Sequence, residues 1–114
     1  VMLSPKEAEL LKYFNNVFAS LRVVFANIMF ELTNKLNCNY DKVKDAYIKT
    51  GKALDIYLNV SKDLRGYGGP CLPKDTKALR NILKNNDLNF KLIQSIEADN
   101  SKFKTTVFKG MRKN

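Results

Sequence analysis

One cysteine in this chain sits behind a cluster of glycines and ahead of a lysine–aspartate pair: Gly66-Tyr67-Gly68-Gly69-Pro70-Cys71-Leu72-Pro73-Lys74-Asp75. Three glycines within four residues let backbone N–H groups approach a ligand with no side chain between them. Asp75 is the expected N-cap of a following helix, its carboxylate accepting from the first free amides. A thiol beside a helix N-terminus and a lysine lies in positive potential, which favours its nucleophilic form. Cys71 is therefore a candidate active-site nucleophile. The same composition also describes an ordinary Gly/Pro loop carrying a small, inert, hydrophobic cysteine.

The elements that must position this loop are helical. Ser4-Pro5-Lys6-Glu7 reads as a helix start, with Ser4 as cap, Pro5 in the first turn and Glu7 closing a capping box. From there helical periodicity runs to about Asn37. Leu11, Phe14, Phe18, Leu21, Phe25, Ile28 and Leu32 follow an a/d spacing, and Leu10, Tyr13, Val17 and Val24 cover part of another face. So much apolar circumference is hard to cover from one small domain, and suggests a partner helix, most simply the same helix of a second copy. Lys12, Asn16, Ser20, Asn27 and Glu31 fall on one polar arc, with Lys12 and Asn16 one turn apart. That arc reads either as a site or as the solvated stripe of an amphipathic helix.

A second helix is expected from Tyr40 to about Thr50, capped by Asn39 and stopped by Gly51. Helical turns are possible around Ala53 to Leu58. A third helix is expected from Asp75 to about Lys84, broken by Asn85-Asn86-Asp87. A last one runs from Leu88 or Asn89 to about Met111. No strand pattern or repeat is present, so the expected class is all-α, with a long central helix and shorter ones around it.

Composition bounds the function. The 114 residues suit one domain, and 45% apolar content permits a core. Charged or amide residues interrupt the apolar runs, so no membrane span is expected, and Val1-Met2-Leu3 leads into Ser4-Pro5 with no secretory leader pattern. Cys38 and Cys71 form no disulfide framework; two free thiols suit a reducing, cytoplasmic setting. With no histidine, a soft-metal site is not expected. The net charge of +9 comes from 20 Lys/Arg against 11 Asp/Glu. It fits either a nucleic-acid partner or an anionic small molecule. Lysines outnumber arginines and no basic stripe alternates with aromatics, which makes nucleic acid the poorer reading.

Together the loop and first helix resemble the central domain of the UDP-glucose/GDP-mannose dehydrogenase family. The family's aromatic-Gly-Gly-x-Cys-x-x-Lys-Asp run is matched by Tyr67 to Asp75. Its upstream Glu-x-x-Lys-x-x-x-Asn is matched by Glu9, Lys12 and Asn16, and Leu21 to Asn27 continue the likeness. The resemblance covers roughly residues 4 to 110, and Cys-Leu-Pro-Lys-Asp-Thr-Lys is most like the UDP-glucose branch. It implies a dimerising helical domain similar to the C-terminal domain of 6-phosphogluconate dehydrogenase. It further implies oxidation of a sugar-nucleotide primary alcohol to a carboxylate with two NAD, through a cysteine thiohemiacetal and thioester. Cys71 would be the nucleophile; Lys12 and Asn16 would stabilise the hydroxyl, oxyanion or hydrolytic water, and Asp75 would orient that water or Lys12. Gly66, Tyr67, Gly68 and Gly69 would face the sugar nucleotide, and Lys74 the cofactor or phosphates.

Three positions depart from the family pattern. An arginine that reaches the partner subunit's substrate is replaced by Asp55 on ungapped counting, or by Lys52 with a two-residue insertion; Lys52 is the residue assigned to substrate. Arg65 stands where phenylalanine is usual, and Phe103 where a basic residue is common. Flanking Rossmann NAD-binding and UDP-binding domains are absent from residues 1–114, so the chain reads as a single central domain, homodimeric and without turnover alone. The alternatives are a GDP-mannose or other sugar-nucleotide dehydrogenase fragment, a non-catalytic oligomerisation module, and a basic helical nucleic-acid binder.

Overall fold

A computed structural model describes residues 2–51 and 56–103. Among the described residues there are four α-helices, α1 (Pro5–Lys35), α2 (Tyr40–Lys49), α3 (Leu72–Asn85) and α4 (Leu92–Asn100), with a 3-10 turn at Ile56–Leu58 and no strand. The fold class is all-α. The molecule's longest extent, 46 Å, is what 31 residues of α1 span at about 1.5 Å each.

Local chemistry sets the ends of α1. The Ser4 hydroxyl accepts from the Glu7 amide at 3.1 Å, and the Glu7 carboxylate accepts from the Ser4 amide at 2.9 Å. These contacts, the backbone one foremost, hold the Glu7 carboxyl below the usual carboxylate range. At the other end Asn37 turns left-handed, φ +57°, and the Cys38 amide reaches back to the Thr33 carbonyl at 2.8 Å. The same device ends α3, where Asp87 is left-handed and the Leu88 amide bonds the Leu83 carbonyl at 2.9 Å. Asn39 caps α2 through Lys42, and Gly51 takes φ +77° beyond its end.

Two expected boundaries move. Helix α3 begins at Leu72, three residues before the expected Asp75, with Cys71 at its N-cap and making no side-chain cap bond. Pro73 in the first turn needs no amide partner, and the Asp75 amide already bonds the Cys71 carbonyl at 2.9 Å, so the Asp75 carboxylate is not a cap. Helix α4 starts later and ends earlier than expected: it runs Leu92–Asn100 and is closed by Ser101, where a single helix to about Met111 is expected from the sequence; the residues beyond 103, and Lys52, Ala53 and Asp55, lie outside the described residues.

The faces of α1 divide by side-chain size. Inward lie Tyr13, Val17, Ala19, Ser20, Val23, Val24, Ala26 and Asn27. Small and β-branched residues here let α3, its main packing partner, come close. One core joins Ala19, Val23, Val24, Tyr67, Leu72 and Ile96; a second joins Ala26, Tyr40 and Val60. Leu11, Phe14, Phe18, Phe25, Ile28 and Leu32, the larger a/d residues, lie exposed on the outside of the chain. By length and composition α1 would suffice to cross a membrane, more than its interrupted apolar runs suggested. Within the chain it is the core helix, with 44% of its most apolar window buried.

Val23 is fully buried in the larger core. Val23→Ala is expected to lower unfolding free energy by about 2 kcal/mol, read as a shifted urea midpoint at unchanged slope.

Candidate active site

The polar arc of α1 faces α3 over two successive turns. In the first, Asn16 Nδ2 donates to Asp75 Oδ2 at 2.6 Å, and Lys12 Nζ lies 3.9 Å from Asp75 Oδ1. Asp75 is 3% exposed, and its Oδ1 accepts no hydrogen bond. A buried carboxylate oxygen with free lone pairs, facing an ammonium beyond hydrogen-bond reach, keeps unused acceptor capacity on the side of Lys12. Half of the Lys12 side chain is exposed, so this end of the cluster borders solvent.

In the next turn Ser20 and Thr76, both fully buried, join hydroxyls at 2.8 Å. Ser20 also donates to the Asn16 carbonyl at 3.2 Å. This pair fixes the rotation of α1 against α3, and with it the meeting of Asn16 and Asp75. Cys71 is exposed, one helical turn before Asp75 on the same helix. Lys74 is exposed in the first turn of α3.

The loop before Cys71 is tied from three sides. Arg65 Nε donates to Asn27 Oδ1 at 2.5 Å, and its terminal nitrogen pairs with Glu31 at 2.6 Å. Its guanidinium lies over the rings of Phe30 and Phe103, at 5.1 and 5.3 Å. Asn27 is thus buried with a partner rather than part of a solvated stripe. Arg65 and Phe103, two of the positions that depart from the expected pattern, touch one another. The Tyr67 ring lies in the core, 4% exposed, and its amide and carbonyl both bond the Asn100 side chain, at 2.8 and 3.1 Å. Gly66 is buried under the same carboxamide; a Cβ there would lie 2.7 Å from Asn100 Oδ1. Gly68 and Gly69 are partly exposed, and Gly69 takes φ +83°, a conformation that favours glycine. Of the residues expected at the sugar nucleotide, Gly68 and Gly69 keep open backbone, whereas the Tyr67 side chain and amide are occupied within the chain.

Sequence reasoning singled out Lys12, Asn16, Cys71 and Asp75, and the structure brings Lys12, Asn16 and Asp75 together across two helices. It passed over Thr76 and Asn100. Thr76 had a usable signal in its position next to Asp75; Asn100 had none beyond an amide at a helix end. Among the described residues no three His, Cys, Asp or Glu side chains gather as a metal site.

This constellation of a lysine and an amide on a long helix, a carboxylate on a second, and a cysteine behind glycines can be set beside known proteins. The UDP-glucose/GDP-mannose dehydrogenase family, central domain, matches residues 6–102. UDP-glucose 6-dehydrogenase of Rickettsia prowazekii is 33% identical over 93 residues, 82% of this chain and 21% of that protein. The Rhizobium meliloti enzyme of the same name is 30% identical over 100 residues, 88% and 22%, and UDP-glucose 6-dehydrogenase TuaD of Bacillus subtilis 34% over 100, 85% and 20%. No solved structure matches the chain. The chain belongs to the UDP-glucose/GDP-mannose dehydrogenase family, whose central domain it carries. It spans about a fifth of the length of these relatives.

Burial pushes the Tyr67 hydroxyl up to about 12; a hydrogen bond with Thr76 partly offsets this and the Glu97 charge adds to it. An unfolded tyrosine ionises near pH 10. Between about pH 10 and 12 the native chain keeps a proton that the unfolded chain has lost, so this contribution to stability is complete below pH 10 and falls as pH rises. Tyr67→Phe should flatten the loss of stability across that window, measured as urea midpoints at stepped alkaline pH.

Proposed function

We propose that this chain is the central, cysteine-bearing part of an NAD-dependent dehydrogenase that oxidises UDP-glucose to UDP-glucuronate. The observation that carries the reading is the assembly of Lys12, Asn16 and Asp75 across α1 and α3, one turn from an exposed cysteine at a helix N-cap. The relatives named as UDP-glucose 6-dehydrogenases favour UDP-glucose over GDP-mannose.

In this reading the chain's residues hold the reacting carbon and handle its protons. Bound NAD would accept the hydride of each oxidation. Among the described residues there is no strand to build a dinucleotide fold, so Lys74 is the group this chain offers towards the cofactor, and its binding falls to other parts of a longer enzyme. Lys12 and Asn16 stabilise the oxygen of the alcohol as its proton passes to water and the first hydride leaves, giving the aldehyde. The Cys71 thiol adds to the aldehyde carbon: a C–S bond forms, and the thiol proton passes to the carbonyl oxygen to complete the thiohemiacetal. Loss of the second hydride, with the hydroxyl proton, leaves a thioester. The Asp75 carboxylate then accepts a proton from the water that attacks the thioester carbon, and the sulfur leaves as thiolate. Gly68 and Gly69 present backbone to the substrate.

The chain alone would assemble without turning over substrate. The exposed stripe Leu11, Phe14, Phe18, Phe25, Ile28 and Leu32 supports a twofold pairing of α1 with a second copy, and two exposed free thiols suit the cytoplasm.

In the complete enzyme, Cys71→Ser should lower acid formation roughly a hundredfold or more while substrate affinity holds; undiminished acid formation would remove the thioester role. Lys12→Ala should lower kcat by about 10²–10³-fold. Sedimentation of the chain should give about twice its 13.0 kDa mass at micromolar concentration, and Phe14→Glu with Phe18→Glu should give monomer. A wild-type monomer would contradict the pairing.

A further inference from the structure

We infer that Asn100, on α4 and outside the reacting constellation, is a positioning residue for the Cys71 sulfur. This rests on the reading of Cys71 as the nucleophile. The Asn100 carboxamide behaves towards Tyr67 as a neighbouring strand would: Oδ1 accepts from the Tyr67 amide at 2.8 Å and Nδ2 donates to the Tyr67 carbonyl at 3.1 Å. Satisfying both backbone groups of one residue fixes the position and direction of the chain there. Four residues later the chain reaches Cys71, and Gly68, Gly69 and Pro70 between them carry no side chain that could grip another element. The placement of Cys71 at the N-cap of α3 therefore depends on the clip behind it as well as on α3.

Gly66 records the same requirement. Its hydrogen occupies the space that the Asn100 carboxamide needs, since a Cβ would stand 2.7 Å from Oδ1 and 3.3 Å from the Phe103 Cβ. Gly66 has no positive φ, so its lack of a side chain serves this close approach. Two substitutions can thus open the clip from opposite sides. Asn100→Ala deletes the carboxamide; Gly66→Ala displaces it and leaves its chemistry intact.

The test uses iodoacetamide on the 114-residue chain, with exposed Cys38 as internal reference and the ratio of Cys71 to Cys38 alkylation rates as readout. In the wild type the ratio is expected above one. Asn100→Ala and Gly66→Ala should each lower it by about threefold or more, with helical circular dichroism retained. Amide hydrogen exchange at Gly68 and Gly69 should quicken while that of Val23 does not. A role confined to stability would lower the urea midpoint and leave the ratio unchanged in the folded chain, and that result overturns the inference. If Asn100→Ala fails to fold, Gly66→Ala decides alone. A wild-type ratio of one removes the nucleophile reading and this inference with it; a wild-type ratio above one that neither variant lowers removes only the inference.

Discussion

The contact between the Ser20 and Thr76 hydroxyls is the point on which the site turns. Both groups are sealed from solvent, so each would bear a desolvation cost of about 1–3 kcal/mol if left unpaired. Ser20 also has the Asn16 carbonyl and Thr76 the Tyr67 hydroxyl, but the two hydroxyls meet each other only when α1 and α3 sit at one rotation and one height. In that register the previous turn of α1 carries Asn16, which meets Asp75 beside Thr76. These polar contacts along the α1–α3 interface thus select one packing among several that would bury similar area. The orphaned oxygen of Asp75 is tolerable because the Lys12 charge lies 3.9 Å from it and Asn16 donates to the other oxygen.

The second half of the site is a loop whose glycines have little grip of their own. Its entry is held by Arg65 between two rings and two polar partners on α1, and its middle by Asn100 from α4. The Tyr67 ring is buried in the main core. Helix α4 itself is joined to α3 through Arg80 and Glu97. Three helices therefore determine where one thiol stands, and each supplies a directional contact in place of bulk.

Helix α1 serves two surfaces with two vocabularies. Inward it offers Ala19, Val23, Ala26 and buried polar groups, which allow close approach and fix register. Outward it offers leucines and phenylalanines, which cover area without specifying direction. The inner face is satisfied within the chain. The outer face exposes more large apolar surface than scattered surface hydrophobics account for.

Helix existence and caps were legible in the residues, because Ser4 with Glu7, Asn39, Gly51 and the Asn85-Asn86-Asp87 break act over three to five positions. The start of α3 is not legible in the residues because Asp75 has the chemistry of a cap; only its position relative to Asn16 shows that its carboxylate points elsewhere. The a/d spacing located an apolar stripe but not the side it faces, since periodicity is blind to what lies opposite. By itself the sequence determined a helical chain with a Lys–Asn pair on one helix and a Gly-rich cysteine run before another, because these follow from local spacing. Only the tertiary structure decided that Asp75 closes on Asn16, that Ser20 and Thr76 set the register, and that Asn100 holds the glycine loop. Those contacts join residues 33 to 59 positions apart, where packing and burial decide which partners meet.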